Sequence, residues 1–260
     1  MPASELMSRA AKHGPAPSRR AAARRSPPPL LPPFLSVDTV IFTVLEARLN
    51  VLLVKRSFIA GKEAEYPFQG RWSLVGGLVD MQLDDTLEIA ALRRLREKTS
   101  VRSPYLEQLQ SFGGAGRDPR GWAATIVYFA LIPAEGQPLV SGVSVDEARW
   151  WQVDRATELK LAFDHQRILE IALERLRAKV EYTALPVNLL PAEFTLSELQ
   201  AIYEIILGRA LDKSSFRKRV LSADIIEEAP NLRVGRNRPA RLYRIRPGGQ
   251  SAVFPRTFYA

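Results

Sequence analysis

Two short helices joined by a tight turn are predicted in the C-terminal part of the chain. The segment Thr195-Leu196-Ser197-Glu198 is a capping box, with threonine at the N-cap and glutamate three residues later. It predicts a helix over residues 199–207 that ends at Gly208, because glycine readily adopts the left-handed conformation that closes a helix. Asp212 is a typical N-cap for a second helix over residues 213–222. Two such helices with a glycine in the turn between them predict a helix-turn-helix.

A β-hairpin is predicted after this helix pair. Residues 232–245 alternate around Gly235-Arg236-Asn237-Arg238-Pro239, as expected for the wing of a winged helix domain. Phe216, Val220 and Leu221 can face the interior, which leaves the polar side of the second helix free to enter a DNA major groove. We expect DNA contacts from residues of this helix and of the wing: Lys213, Ser214, Ser215, Arg217, Lys218, Arg236, Arg238 and Arg241. A solvated basic helix without a ligand is the alternative interpretation.

The middle of the chain combines strand-like and helical segments and predicts an α/β core of roughly 140 residues. Helices are predicted over residues 84–99 and 164–179, where apolar side chains recur at helical spacing. The glycine-rich stretch 113–121 is predicted to be a loop. Strands are predicted at residues 37–45, 51–54, 109–112, 125–132 and 148–153.

The basic residues are concentrated at the two ends of the chain. Residues 1–33 carry a net charge of +5, residues 34–181 of −1 and residues 182–260 of +5. A neutral domain with a basic appendage is typical of a protein that binds a phosphate backbone at one end. The absence of cysteine excludes disulfides and thiolate metal sites, and the lack of a long apolar run predicts a cytoplasmic protein with no membrane contact.

The first 33 residues are rich in Ala, Arg, Ser and Pro and are predicted to be disordered, because they offer little apolar surface to bury. The same composition also fits an organellar transit peptide, an arm that grips DNA without sequence preference, or sequence upstream of the true start.

Gly76-Gly77 and the following helix with Arg93-Arg94-Leu95-Arg96-Glu97-Lys98 resemble the Nudix hydrolase family over about residues 34–160. In that family, glutamates at positions i, i+3 and i+4 of the helix bind the Mg²⁺ ions that polarise a pyrophosphate. The resemblance implies a Nudix fold of the α/β (α+β) class for this part of the chain.

This chain departs from the Nudix pattern at the metal-binding positions. Arg94 stands in place of the first glutamate, Glu97 matches the second, and Lys98 replaces the third. Ser100 replaces a glycine, and Asp85 is predicted to stand in for an earlier glutamate. Because Mg²⁺ requires anionic oxygen ligands, we expect no metal, no required cofactor and no hydrolysis. The two cations could hold a pyrophosphate directly, or they could be solvated positions on a relict helix.

Four further motifs, at residues 116–121, 161–165, 189–196 and 212–218, are similar to the Nudix-related transcriptional regulators of NAD metabolism. The resemblance implies a bacterial homodimer whose Nudix-like domain senses ADP-ribose or a related NAD metabolite and whose winged helix binds operators of NAD-biosynthesis genes. Relatives in the wider group regulate sugar catabolism. Ser215 differs from the asparagine that the family often has before the recognition-helix phenylalanine.

The predicted domains are a basic tail (1–33), a Nudix-like ligand-sensing domain (34–160), a linker helix and connection (161–191), a winged helix (192–247) and a C-terminal tail (248–260). The resemblance implies that His165 lies at the junction of the two domains, where it could sense the ligand, whereas packing at a helix N-terminus is the alternative. The expected ligand-binding residues are Arg56, Arg71, Gly76, Gly77, Arg93, Arg94, Glu97, Asp118 and His165.

The sequence therefore favours a ligand-controlled repressor, which accounts for both ends of the chain. An active Nudix pyrophosphatase acting on ADP-ribose or another nucleoside diphosphate derivative accounts only for the middle, and a non-enzymatic RNA- or protein-binding module is a third hypothesis. The exact effector, the sign of its effect and the operator stay open at this point.

Overall fold

The fold is built from nine strands and five α-helices, within the part of the chain that the computed structural model describes: residues 32–99, 101, 105–134, 144–233, 239–249 and 252–254. The strands are β1 (Phe34–Leu45), β2 (Arg48–Arg56), β3 (Trp72–Ser73), β4 (Val75–Leu78), β5 (Tyr105–Asp118), β6 (Gly121–Leu131), β7 (Val145–Gln152), β8 (Ile226–Arg233) and β9 (Ala240–Ile245). The helices are α1 (Leu87–Thr99), α2 (Val153–Ala156), α3 (His165–Val180), α4 (Leu196–Leu207) and α5 (Lys213–Ser222), with a 3-10 helix at Leu185–Leu189.

Strands β1 to β7 form one mixed sheet with the order β3-β2-β1-β6-β5, to which β4 is added beside β1 and β7 beside β2. Strand β1 is central because it is apolar on both faces. On one face, Ile41 packs in a cluster with Leu95 of α1, and on the other, Val40 and Phe42 pack in a cluster with Ile168 of α3. The predicted α/β fold of this region is confirmed, with α1 and α3 on opposite faces of the sheet.

The prediction of a loop over residues 113–121 is wrong, because β5 and β6 continue through it as a long antiparallel hairpin. Gly113 and Gly114 pair with Ala124 and Ala123, and the hairpin closes at Asp118, which pairs with Gly121. The register shifts between Gly114 and Asp118, so the glycines lie next to a bulge inside a strand rather than in a loop.

The helix-turn-helix has the capping contacts that the sequence predicts. The Glu198 N–H donates to Thr195 Oγ1 (3.2 Å), and the Thr195 N–H donates to the Glu198 carboxylate (2.7 Å). Gly208 ends α4 with a φ of 68°, and the Asp212 carboxylate accepts from the Ser215 N–H (2.8 Å). The capping box begins the helix at Leu196, three residues before the predicted start.

The inner face of α5 consists of Phe216 and Val220, which are both buried as predicted. Leu221 was expected to face inward as well, but its side chain is 50% exposed at the end of the helix. One helical step beyond Val220 turns this position away from α4, so the prediction for Leu221 is wrong.

Strands β8 and β9 form the antiparallel hairpin of the wing, and Tyr243 of β9 pairs with Phe194 just before α4. The predicted wing is therefore confirmed in its strands. The tip of the hairpin, with Arg236 and Arg238, lies outside the described residues, as do Ser100 and residues 1–31, for which disorder stays a prediction.

The described residues from Pro33 onward belong to one compact unit. A single buried cluster runs from Ile168 and Leu176 of α3 through Leu185 to Tyr203 of α4 and Phe216 of α5. The linker between the two halves is therefore part of the core. None of the described helices has the length and apolar character that a membrane crossing needs.

Candidate functional site

A cavity of about 340 Å³ opens where the ends of β1, β4 and β5 meet helix α1 and the start of α3. Seven of the predicted ligand-binding residues line it: Arg56, Gly76, Gly77, Arg94, Glu97, Asp118 and His165. Lining residues that the prediction did not include are Phe34, Ser36, Asp38, Tyr66, Lys98, Arg117, Arg120 and Phe163, among others. The volume lies in the range of small-molecule sites.

Two predicted ligand-binding residues, Arg71 and Arg93, do not line this cavity. The guanidinium of Arg71 lies 5.3 Å from the ring centre of Phe68. Arg93 instead donates to the Asp84 carboxylate (2.7 Å) and to the Glu97 carboxylate (2.9 Å). Arg93 therefore fixes the orientation of α1 against the preceding loop instead of facing a ligand.

The carboxylate that holds Arg93 of helix α1 belongs to Asp84. The Asp84 carboxylate accepts from the Arg93 guanidinium and from the Asp80 N–H, and the hydrogen bonds of Arg93 are the largest cause that lowers the pKa of Asp84 to about 2. Asp85 is exposed. The role predicted for Asp85, as a substitute for an earlier glutamate, stays a prediction.

The two consecutive glycines of β4 are required by close packing. A Cβ atom at Gly76 would lie 2.1 Å from the Asp38 carboxylate and 2.4 Å from the Val37 carbonyl oxygen. A Cβ atom at Gly77 would lie 2.9 Å from Arg94 Nε. Gly76 thus allows β4 to lie close to Asp38, and Gly77 leaves room for Arg94, whose guanidinium donates to the Leu78 carbonyl (3.1 Å).

The residues at the Nudix metal positions do not fit a divalent cation. One oxygen of Glu97 accepts from Arg93 (2.9 Å) and the other from Arg94 (3.0 Å). Burial alone would raise the pKa of Glu97, but the hydrogen bonds and charges of the two arginines outweigh burial and lower it. Both carboxylate oxygens are thus occupied by cations, and no group of three acidic or histidine side chains that could hold a metal occurs in the described ranges.

The deep wall of the cavity is an ion-paired network centred on Asp38 of β1. One carboxylate oxygen accepts from Arg117 (2.7 Å) and from Thr125 (2.8 Å), and the other lies 3.6 Å from His165 Nε2. The Leu74 N–H donates to His165 Nδ1 (3.0 Å). Because Nδ1 accepts this bond, Nε2 is the ring nitrogen whose N–H faces Asp38.

Burial alone would raise the pKa of Asp38, but His165, Arg117 and Thr125 outweigh burial and hold the pKa well below its usual range. Arg117 also lies 3.2 Å from Asp164, the N-cap residue of α3. The network therefore connects the cavity wall to the first turn of the helix that leads to the winged helix.

The upper wall carries a second ion pair, at the turn of the β5–β6 hairpin. The Asp118 carboxylate accepts from the Arg120 guanidinium (2.7 Å), and Arg120 also donates to the Glu65 carbonyl (3.0 Å). The Arg120 guanidinium lies 5.2 Å from the ring centre of Phe34. Asp118 thus orients Arg120, and no direct contact of Asp118 with a ligand is needed to explain its position.

Arg56 and Lys98 are the lining cations for which no carboxylate partner is found among the described residues, whereas Arg94, Arg117 and Arg120 each have one. Arg56 donates through Nε to the Pro67 carbonyl (2.9 Å). Burial and the nearby charge of Arg56 lower the pKa of Lys98 to about 8. Two neighbouring cations without an ion-pair partner in the described part of the chain are suited to hold an anion.

The surface predicted to bind DNA is the outer side of α5. Lys213, Ser214, Ser215 and Lys218 are exposed. Arg217 is half-buried, and its guanidinium lies 3.5 Å from Ser197 Oγ at the start of α4. These residues share one accessible face, as a recognition helix requires.

Arg241 of the wing pairs across the hairpin with Glu228, and this hydrogen bond raises the pKa of Arg241. The neighbouring Arg244 pairs in the same way with Glu227. The described part of the wing therefore carries neutralised arginines, and its remaining predicted contacts, Arg236 and Arg238, lie outside the described residues.

Comparison with known proteins agrees with this architecture. Residues 35–170 match the NUDIX domain, and residues 186–245 match the NrtR DNA-binding winged helix domain. The chain is 44% identical over 224 residues to the ADPR responsive transcriptional repressor NtrR of Acinetobacter baylyi, which covers 86% of each chain. It is also 31% identical over 140 residues to an ADP-ribose pyrophosphatase of Methanocaldococcus jannaschii, which covers 54% of this chain and 73% of the relative.

Solved structures lead to the same family. The crystal structure of Shewanella oneidensis NrtR complexed with a 27mer DNA superposes with a TM-score of 0.78 at 40% identity, covering 86% of this chain and 99% of that one. The Nudix domain of the same protein complexed with ADP ribose superposes with a TM-score of 0.51 at 41% identity, covering 59% and 95%. The predicted resemblance and the predicted Nudix and winged helix folds are confirmed, and the chain belongs to the NrtR family of Nudix-related transcriptional regulators.

Proposed function

We propose that this protein is a cytoplasmic transcriptional repressor that binds operator DNA through α5 and the wing and is controlled by ADP-ribose or a related NAD metabolite in the Nudix cavity. The proposed targets are genes of NAD biosynthesis or salvage. A homodimer is part of the proposal, because one winged helix reads few base pairs and a two-fold partner doubles the readout.

The observation that carries the proposal is the pair of cations, Arg56 and Lys98, that face the cavity without a carboxylate partner among the described residues. The diphosphate of ADP-ribose supplies two negative charges, which match these two positive ones. A bound diphosphate relieves the repulsion between the cations, so binding is favoured without a metal ion. The relatives named for a response to ADPR, or solved with ADP ribose and with DNA, support the same ligand and partner.

The test is to replace Lys98 with glutamine and to measure operator binding with and without ADP-ribose by fluorescence anisotropy. We expect Lys98→Gln to weaken ADP-ribose binding about tenfold or more, because charge-assisted contacts to phosphate contribute about 1.5–3 kcal/mol. Operator affinity without ligand should be unchanged, since Lys98 lies on α1 in the Nudix domain. A wild-type response of the Lys98→Gln variant to ADP-ribose would contradict the proposal. As a matched control, Lys160→Gln removes a lysine that is exposed on the same domain.

The pH dependence of ADP-ribose binding by the wild type and by Lys98→Gln gives a second test. The ligand requires protonated Lys98, whose pKa in the free protein is about 8. We expect affinity for ADP-ribose to be constant below pH 7 and to fall as pH rises through 8, with proton uptake on binding. Calorimetry in two buffers of different ionisation enthalpy measures that uptake, and it should vanish in Lys98→Gln.

Hydrolysis of ADP-ribose is expected to be negligible, because Arg93 and Arg94 donate to both carboxylate oxygens of Glu97. In addition, Arg94 and Lys98 occupy the other two positions at which the Nudix family has metal-binding glutamates. Incubation of the pure protein with ADP-ribose and Mg²⁺ or Mn²⁺ tests this, and turnover of about 1 s⁻¹ or more would favour the pyrophosphatase hypothesis. The double variant Arg94→Glu, Lys98→Glu is the matched control. It restores two carboxylates, so Mn²⁺ should raise its melting temperature and leave that of the wild type unchanged.

A further inference from the structure

The segment Ala252–Phe254, here called the C-terminal strap, lies beyond residues 186–245 of the winged helix match and returns to the linker between α3 and α4. The Ala184 N–H donates to the Ala252 carbonyl (3.0 Å), and the Phe254 N–H donates to the Tyr182 carbonyl (2.7 Å). These two bonds flank an antiparallel bridge between Thr183 and Val253. The strap is thus hydrogen-bonded to the chain at the point where α3 ends.

The strap places one aromatic side chain behind the recognition helix. Phe254 is 3% exposed and belongs to the same buried cluster as Phe216 and Val220 of α5. The guanidinium carbon of Arg219, which is also on α5, lies 5.0 Å from the centre of the Phe254 ring, within the range of a cation–π contact.

Arg219 is therefore a cation of the recognition helix that faces the protein interior. Burial is the largest cause that lowers its pKa, and the charge of Glu181 and the hydroxyl of Tyr203 act against this. Glu181 is the C-cap residue of α3, and it also pairs with Arg209 of the turn after α4 (3.1 Å). The back of α5 is thus surrounded by groups from the end of α3 and from the strap.

The linker segment Tyr182–Ala184 is held from three sides. The strap binds the backbone of Tyr182 and Ala184, Tyr203 of α4 donates its hydroxyl hydrogen to the Thr183 carbonyl (2.7 Å), and Thr183 Oγ1 donates to the Lys179 carbonyl of α3 (2.7 Å). The Tyr203 ring in turn packs edge-on against Phe216, with ring centres 5.3 Å apart. Any tilt of α5 therefore disturbs contacts with both the strap and the linker.

We infer that Phe254 is a positioning residue for DNA recognition: through Arg219 it fixes the tilt of α5 relative to the end of α3. The inference rests on the proposed binding of DNA by α5. Phe254 itself is buried on the far side of the helix and acts on DNA only through the position of α5.

The first experiment measures operator binding by Phe254→Leu, which keeps an apolar side chain but removes the ring. We expect operator affinity to fall about threefold to tenfold, as the loss of a partly buried cation–π contact implies, while binding to random DNA changes less. Val253→Ala is the matched control, because the Val253 side chain is 67% exposed and should have no effect. Phe254→Tyr keeps the ring and should retain most of the affinity. Equal operator affinity of Phe254→Leu and wild type would overturn the inference.

A double-mutant cycle separates positioning from direct contact. If Phe254 acts through Arg219, Arg219→Met and Phe254→Leu should each weaken operator binding, and the double variant should bind no more weakly than the worse single variant. If Arg219 instead binds a phosphate, the two effects should add, and Arg219→Met should reduce the salt slope by about one. Additive effects with that change of slope would overturn the inference.

Hydrogen exchange tests the inference without DNA, so that a failure of the proposed function is distinguished from a failure of this inference. Phe254→Leu should speed amide exchange in residues 213–222, with little change in the central strands of the Nudix sheet. Unchanged exchange in α5 would overturn the inference. Faster exchange in α5, in a protein that binds no operator DNA, would support the role of Phe254 and contradict the proposed function.

Discussion

Replacing Asp38 with asparagine is expected to destabilise the protein by about 3–5 kcal/mol, because it leaves the buried charge of Arg117 without its main partner. Asparagine keeps the size of the side chain, so the effect comes from the charge and its hydrogen bonds to Arg117 and Thr125. Urea denaturation followed by circular dichroism measures the change. Glu158→Gln removes one partner of an exposed ion pair with Arg155 and should cost less than about 1 kcal/mol. Similar effects of the two substitutions would show that the network does not stabilise the fold.

The Asp38→Asn variant should approach the stability of the wild type in acid. The pKa of Asp38 in the folded protein lies below its ordinary value of 3.8. Its stabilising contribution is therefore fully present above about pH 4 and is lost as pH falls below that value, where the unfolded chain takes up a proton first. The difference in free energy of unfolding between wild type and Asp38→Asn should shrink between pH 4 and pH 2. A constant difference over that range would contradict the assignment.

Replacing Arg217 with alanine is expected to weaken operator binding by about 1–3 kcal/mol and binding to random DNA much less. Arg217 is the arginine of α5 that lies on the same side as the exposed Lys213 and Lys218, and its guanidinium has a weak contact with Ser197 (3.5 Å). The contact with Ser197 is therefore easily broken when the guanidinium reaches for a base edge.

Fluorescence anisotropy with operator and scrambled duplexes at one salt concentration measures this loss of specificity. Arg155→Ala is the matched control, because it removes an arginine that is 70% exposed on the Nudix domain. An equal loss on both duplexes would make Arg217 a phosphate contact, and no loss would place the recognition surface elsewhere.

The winged helix could be predicted from the sequence because its signals are local. The capping box at Thr195, the closing glycine at Gly208 and the N-cap at Asp212 each concern backbone groups within a few residues, and each contact is present. The exposure of Leu221 could not be predicted in this way, because it depends on which side of α5 packs against the rest of the domain and not on local backbone signals.

The long β5–β6 hairpin could not be predicted because glycine is a poor strand former in isolation. Gly113 and Gly114 are accepted in β5 because β6 supplies their hydrogen-bond partners, and a Cβ atom at Gly113 would lie 3.2 Å from the Trp122 ring. Tertiary pairing overrides the local preference in such a strand.

The sequence predicted seven lining residues of the cavity, but it did not predict the ion-paired network of its deep wall. Asp38 and Arg117 come from strands 79 residues apart, and no spacing rule connects them. One signal was available: Asp38 interrupts an apolar run that includes Val37, Val40 and Ile41, and a carboxylate in a buried strand requires a partner.

The central place of β1 affects how the protein is made. Its parallel neighbour β6 lies far along the chain, since the hydrogen-bonded residues Ser36 and Ala124 are 88 residues apart. Strand β1 therefore leaves the ribosome long before β6 can cover the edge of β1 with which it pairs. Until then β1 can pair only with β2 and β4, and an apolar strand with one open edge is a surface on which nascent chains associate. The cavity also needs His165, so the effector can protect a new chain only after α3 has begun to form. We therefore expect a ligand of the cavity to stabilise the chain only at this late stage of folding.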